Sequence, residues 1–225
     1  MAAPLDPRAE NLDQELDCAE YYGSETEDSE TGTDTISWIS WFCSYEGHEY
    51  FVEVPEDYID DEFNLTGLRQ IVPHYTQAIH MILDLEDDFD EGNWDGTTKP
   101  DIQDIEDSAE RLYGLIHARY IITRQGLHQM AEKYVAGQFG SCPRYHCKNT
   151  FVLPCGLSDS PNFDAVKLFC PNCKDLYSPA STRFSTVDGA YFGTTFPHMF
   201  FLTFPEYLVN GQIGDKYIAR IYGFK

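Results

Sequence analysis

The chain has 225 residues, with 15 Lys plus Arg against 38 Asp plus Glu for a formal net charge of −23; 42% of it is hydrophobic and 15% aromatic, which excludes global disorder. The charge is divided: residues 1–110 hold 31 acids and 3 bases, a net of −28, while residues 111–225 hold 7 acids and 12 bases, a net of +5. Because affinity for nucleic acid rests on Lys and Arg displacing counterions, the acidic front excludes phosphate-backbone binding there and fits polycations, basic proteins or polyamines instead.

Residues 1–34 hold 11 acids, one base and few large apolar side chains, which predicts a disordered acidic tail over 1–36. Its start lacks the charged-then-apolar layout of a signal peptide, and no run approaches the roughly 18 apolar residues of a membrane span. The expectation is an intracellular protein of nucleus and cytoplasm, neither secreted nor membrane-bound.

Order begins at Ser37-Trp-Ile-Ser-Trp-Phe-Cys43, where four large apolar side chains need burial and Ser37 can cap a short helix. Pro55 opens a second short helix through Phe63. Pro73 opens a third through about Leu83, with Ala78, Ile79, Ile82 and Leu83 as an apolar stripe at helical spacing. Asp84, Glu86, Asp87, Asp88, Asp90 and Glu91 then place six acids in eight residues, an exposed acidic loop over 84–91. A long helix is predicted from Ile102 to Arg124, interrupted at Gly126 and continued by Leu127, Met130, Ala131 and Tyr134 until Gly137. Residues 37–137 therefore read as a helical domain.

From Cys142 the character changes. Thr150–Leu153, Ala165–Phe169, His198–Phe204 and Tyr217–Tyr222 are short β-prone runs separated by Pro and Gly, so the whole is expected to be α+β, an all-α N-terminal domain before a small β domain.

Cys142-Pro-Arg-Tyr-His-Cys147 and Cys170-Pro-Asn-Cys173 form a C-x4-C…C-x2-C arrangement with 22 residues between the pairs. Each short spacing lets two thiolates converge from one turn, and the intervening stretch can return the second pair to face the first, giving a four-thiolate zinc site. His146 could replace Cys147 as a ligand, and the plain alternative is buried thiols or disulfides. A site closed by four protein ligands leaves no position for water or substrate, so the zinc, one per chain, is structural. Cys18, Cys43 and Cys155 are expected to stay unliganded.

Signatures of catalysis are missing: no phosphate-binding glycine loop, dinucleotide fingerprint, zinc-protease helix, nucleophile elbow or protein-kinase motif occurs. Acid pairs such as Asp60-Asp61 and Asp87-Asp88 sit in solvated charged runs. The chain reads as a binding or scaffold protein without catalytic residues.

Ser37-Trp-Ile-Ser-Trp-Phe-Cys43, Phe63-Asn-Leu-Thr-Gly-Leu68, Val72-Pro-His-Tyr75, Leu112-Tyr-Gly-Leu-Ile-His-Ala-Arg-Tyr-Ile121, Asp188-Gly-Ala-Tyr-Phe-Gly193, Phe196-Pro-His-Met199 and Arg220-Ile-Tyr-Gly-Phe-Lys225 resemble the regulatory (beta) subunit of casein kinase II. The similarity runs from about 37 to 225 and includes the four cysteines. It implies that the β domain is a zinc ribbon over 138–209 through which two chains form a homodimer. It also implies that the segment 210–225 docks a catalytic (alpha) subunit in an α2β2 tetramer, with Tyr222 and Phe224 as the aromatic anchors. Such a subunit stabilises the kinase and shifts its choice of protein substrates. The resemblance further implies a polyamine-binding, autoregulatory role for the 84–91 loop. Phosphorylation is expected near the amino terminus, where Ser24 and Thr31 each precede an acid by three residues. Arg124-Gln-Gly-Leu127 resembles the family's degradation box. Family members often continue past the position of Lys225, so a longer natural chain is expected. The competing reading is a zinc-ribbon adaptor that works without a kinase; a metallohydrolase would require an open coordination site.

Overall fold

The computed structural model describes residues 36–85, 101–208, 219–222 and 224. Ser37 begins the first helix, α1 (Trp38–Ser44), by accepting the Ser40 backbone N–H on its hydroxyl at 3.3 Å. Pro55 precedes α2 (Glu56–Asp60). α3 (Tyr75–Ile82) starts two residues after Pro73, across His74 in the left-handed region, and buries Ala78 and Ile82 while Ile79 and Leu83 pack at the core's edge. α4 (Ile102–Tyr120) follows and crosses the centre of the fold with Ala109, Leu112, Tyr113, Ile116 and His117 fully buried.

The long helical pattern breaks earlier than the glycine suggests. α4 ends at Tyr120, the chain turns through Ile121–Thr123, and α5 (Arg124–Val135) begins with Thr123 capping the Gly126 N–H at 3.2 Å. Gly126 therefore lies inside α5 and does not break it. A Cβ there would sit 2.3 Å from the Tyr120 carbonyl oxygen, so the missing side chain is what lets the first turn of α5 close against the end of α4.

The strands are short: β1 (Leu153–Cys155), β2 (Lys167–Phe169) and β3 (Leu176–Tyr177) form an antiparallel sheet in the order β1-β2-β3. Leu153 pairs with Phe169, and Phe169 with Leu176, which fixes the register. The run at 198–204, β-prone by composition, is instead helical: α6 (Phe196–Thr203) has Pro197 in its first turn and buries Phe196, Phe200 and Phe201. Phenylalanines favour strands only where a pleated surface accepts them. Here the helix presents Phe200 and Phe201 to Tyr134 of α5, with ring centroids 5.3 and 6.2 Å away, and Phe196 packs one turn back on Phe200 at 5.9 Å.

One apolar core runs from α1 to α6. Tyr50 stacks on Phe184 at 4.0 Å, Phe51 packs on Phe192 at 5.2 Å, and the fully buried His117 ring lies 5.3 Å from Phe192. Among the described residues, no helix is long and apolar enough to cross a membrane.

Candidate metal centre and docking segment

Two reverse turns bring the four cysteines together. In the first, the Cys147 N–H bonds to the Arg144 carbonyl (2.9 Å), and Lys148 and Asn149 then turn the chain through the left-handed region. Thr150 closes this turn by donating its N–H and hydroxyl to the Cys147 carbonyl, at 3.0 and 2.6 Å. The Cys142 N–H in turn bonds to the Thr150 carbonyl (2.8 Å). In the second turn the Lys174 N–H bonds to the Cys170 carbonyl (2.8 Å), with Lys174 again left-handed. The two turns are tied to each other by the Arg144–Asp175 ion pair at 3.7 Å.

The four Sγ atoms all lie within 4.8 Å of one another, with Cys142–Cys173 at 3.8 Å and Cys147–Cys170 at 4.0 Å. A tetrahedral ion with metal–sulfur bonds of about 2.3 Å needs sulfur–sulfur edges of about 3.8 Å. The donor set therefore fits a tetrahedral thiolate metal site. Cys142, Cys147 and Cys170 are buried and Cys173 is half-buried. His146 lies beside this cluster in sequence but is not part of it.

Composition and spacing do not reveal Tyr177. Its hydroxyl lies 3.2 Å from Cys173 Sγ, placed there by β3. Burial raises the Cys173 thiol, but the Tyr177 hydroxyl and the Asp175 N–H outweigh it and hold the thiol down at about 7. A phenol reaching a cysteine four residues back is visible only once the turn is built. Cys155, by contrast, is pushed up to about 11 by burial alone, and Cys43 to about 11 by burial, offset in part by its contact with the Tyr113 hydroxyl. Cys155 is a small buried thiol and Cys43 a half-buried one.

Beside the second turn lies a groove of about 550 Å³ whose walls include Phe169, Pro171, Leu176, Phe201, Leu202 and Leu208. Leu202 is 65% exposed, so this apolar wall is open to solvent.

At the C-terminal end, Ile221 and Phe224 exchange two backbone hydrogen bonds (3.1 and 3.0 Å) around Tyr222, whose φ is +50°. The segment is a tight turn and not the extended strand expected from its composition. Tyr222 is 97% exposed and Phe224 78%. Asp84 is exposed and accepts the Trp38 N–H at 2.9 Å; Glu86, Asp87, Asp88, Asp90 and Glu91 lie outside the described residues, as do Ser24 and Thr31.

The family model described as casein kinase II regulatory subunit matches residues 37–225. The chain belongs to the casein kinase II regulatory subunit family. It is 56% identical over 194 residues to casein kinase II subunit beta-2 of Schizosaccharomyces pombe, covering 85% of this chain and 74% of that one. It is 50% identical over 206 residues to casein kinase II subunit beta of the same yeast, covering 91% and 83%. It is 48% identical over 202 residues to casein kinase II subunit beta of Dictyostelium discoideum, covering 90% and 72%. As a member of the casein kinase II regulatory family, the chain is a regulatory and not a catalytic subunit, and membership implies association with catalytic kinase subunits.

Proposed function

We propose that this regulatory subunit holds one structural zinc ion in a zinc ribbon, pairs with a second copy through the zinc half, and docks one catalytic subunit per chain through Tyr222 and Phe224. The result is an α2β2 kinase whose stability and substrate choice it sets. Cys142, Cys147, Cys170 and Cys173 hold the ion. Bound there, zinc supplies a cross-link between two turns and no chemistry, since four thiolates leave it no open position. Tyr177 keeps the Cys173 sulfur in place and supports its anionic form. A three-stranded sheet of two- and three-residue strands has too small a core of its own to fix these turns, which is why a staple is needed.

The observation that carries the docking reading is the exposure of Tyr222 and Phe224, at 97% and 78%, on a turn closed by its own backbone bonds. A preformed turn offers two aromatic anchors with little ordering left to lose on binding. The open apolar groove next to the metal turns supports the same half as the pairing face. The acidic stretch from Asp84 to Glu91 is read as a polyamine-binding regulatory loop, Ser24 and Thr31 as phosphorylation sites, and nucleus and cytoplasm as the compartments.

Calorimetric titration of the full chain with the catalytic subunit tests the assignment. A Tyr222→Ala, Phe224→Ala double variant should lose at least two orders of magnitude in affinity, as hot-spot aromatics do. Unchanged affinity would remove these two residues from the docking role.

A further inference from the structure

Four thiolates that hold an ion are also four electron donors, and they are not equally sheltered. Cys142, Cys147 and Cys170 are 3%, 4% and 0% exposed. Cys173 is half-buried, and the next two residues, Lys174 and Asp175, are both exposed. Thiolate character and access decide which cysteine an oxidant attacks. An oxidant arriving from solvent therefore meets the Cys173 sulfur first.

The two turns set what Cys173 can then bond to. Cys142 Sγ lies 3.8 Å away on the opposite turn, so a disulfide bond of about 2.05 Å needs these sulfurs to close by only about 1.8 Å. The Arg144–Asp175 ion pair at 3.7 Å links the same two turns independently of the sulfurs. The other two thiols, Cys147 and Cys170, oppose each other at 4.0 Å in the buried part of the cluster. Cys43 and Cys155 stand apart from it: Cys43 touches the Tyr113 hydroxyl at 3.4 Å, and Cys155 is buried in β1.

We propose that Cys173 and Cys142 are a peroxide-sensitive pair that converts the metal staple into a covalent one, an inference that rests on the zinc reading above. The Cys173 thiolate attacks one oxygen of hydrogen peroxide. The O–O bond breaks, hydroxide leaves, and Cys173 becomes a sulfenic acid. The Cys142 thiolate then attacks that sulfur; the S–O bond breaks, a second hydroxide leaves, and the S–S bond forms. Two electrons pass from the two sulfurs to the peroxide, and both hydroxides take protons from the buffer. With two of its four ligands spent, the site no longer holds its ion. The new bond joins the same two turns, so they stay together once the ion is gone. A bond within the second turn, from Cys170 to Cys173, would instead release the first.

The test uses the full chain, with its zinc content measured before hydrogen peroxide is added. Released zinc is followed with a colorimetric chelator, and disulfides are mapped by mass spectrometry after acid trapping. One zinc per chain should be released as a Cys142–Cys173 bond appears, while Cys43 and Cys155 stay reduced. Dithiothreitol followed by zinc should restore the starting state. Trypsin should digest the oxidised chain about tenfold more slowly than the reduced chain stripped by a chelator, because only the former keeps a cross-link between the turns. A mapped Cys170–Cys173 bond overturns the proposal, as does oxidation of Cys43 or Cys155 ahead of the cluster. A cluster that stays reduced in a large excess of peroxide overturns it equally. A chain that holds no zinc before treatment contradicts the zinc reading alone, because the disulfide map of that chain still decides the pairing.

Discussion

Gly114 and Tyr191 occupy the same space: a Cβ on Gly114 would lie 2.4 Å from Cγ and Cδ1 of the Tyr191 ring. The tyrosine belongs to the turn Gly189–Tyr191, some seventy residues later, and its ring rests on α4 at the one position where the helix has no side chain. One turn further along α4, His117 Nδ1 bonds to the carbonyl of the same tyrosine at 2.8 Å. A carbonyl can only accept, so Nδ1 carries the proton, and Nε2 is left to accept the Val52 N–H at 3.2 Å. Ring and carbonyl together attach the C-terminal half to the central helix.

Gly114→Ala should therefore destabilise the protein although alanine is the better helix former. The propensity gain is about 1 kcal/mol, against an overpacking cost of about 1–3 kcal/mol for displacing a buried ring. A thermal melt lowered by several degrees is the expected result. A melt at or above the parent's would mean that Tyr191 slides aside freely.

His117 makes stability depend on pH in a stated direction. Burial holds it down at about 4, against 6.5 for a free histidine, with Lys133 pushing the same way and the Tyr191 carbonyl opposing. The unfolded chain thus binds more protons than the folded one between these values. The stability is fully present above about pH 6.5 and is lost as pH falls towards about 4, up to about 3 kcal/mol. His48, also lowered by burial, adds a slope of the same sign. Denaturant melts from pH 7 to pH 4.5 should show the loss, and His117→Gln should flatten it while costing stability at pH 7 through its broken bonds. A parent protein with no slope in this window would exclude a neutral buried imidazole.

These relations explain what could be read in the chain beforehand. The Ser37 cap, the α3 stripe and the two cysteine pairs are local: each needs only neighbours within a few residues, and each is where its spacing puts it. α6 was not legible, because Phe200 and Phe201 pack on Tyr134, a partner more than sixty residues away. Gly126 misled for a different reason, a close approach of backbone within a few residues. Its lack of a side chain serves contact with Tyr120 and not chain termination. The Tyr222 turn depends on a positive φ that nothing in a tyrosine advertises.

Gly126→Ala should be the harsher of the two glycine substitutions. Here the obstacle is backbone, the Tyr120 carbonyl oxygen at 2.3 Å and Ile121 Cα at 2.7 Å, and it cannot rotate away as a ring can. A cost of about 3 kcal/mol or more is expected, with α5 displaced from α4. Comparing urea midpoints of Gly114→Ala and Gly126→Ala checks the order; a smaller loss at Gly126 would reverse the argument.

Metal removal should reach beyond the cysteines. Phe200 and Phe201 of α6 pack on Tyr134, and β1–β3 carry the turns that hold the thiolates, so loss of the ion frees surfaces that α5 helps to bury. On the proposed assignment, a chelator should abolish near-ultraviolet ellipticity from both halves and reduce the solution mass from dimer to monomer together. Cys147→Ser should release one equivalent of zinc per chain, measured by a colorimetric chelator, whereas His146→Ala should retain it, since the four Sγ atoms already close the tetrahedron at edges of 3.8 and 4.0 Å. Zinc retained in Cys147→Ser and lost in His146→Ala would exchange the two ligands. A dimer that survives complete chelation would move the pairing face away from the zinc half.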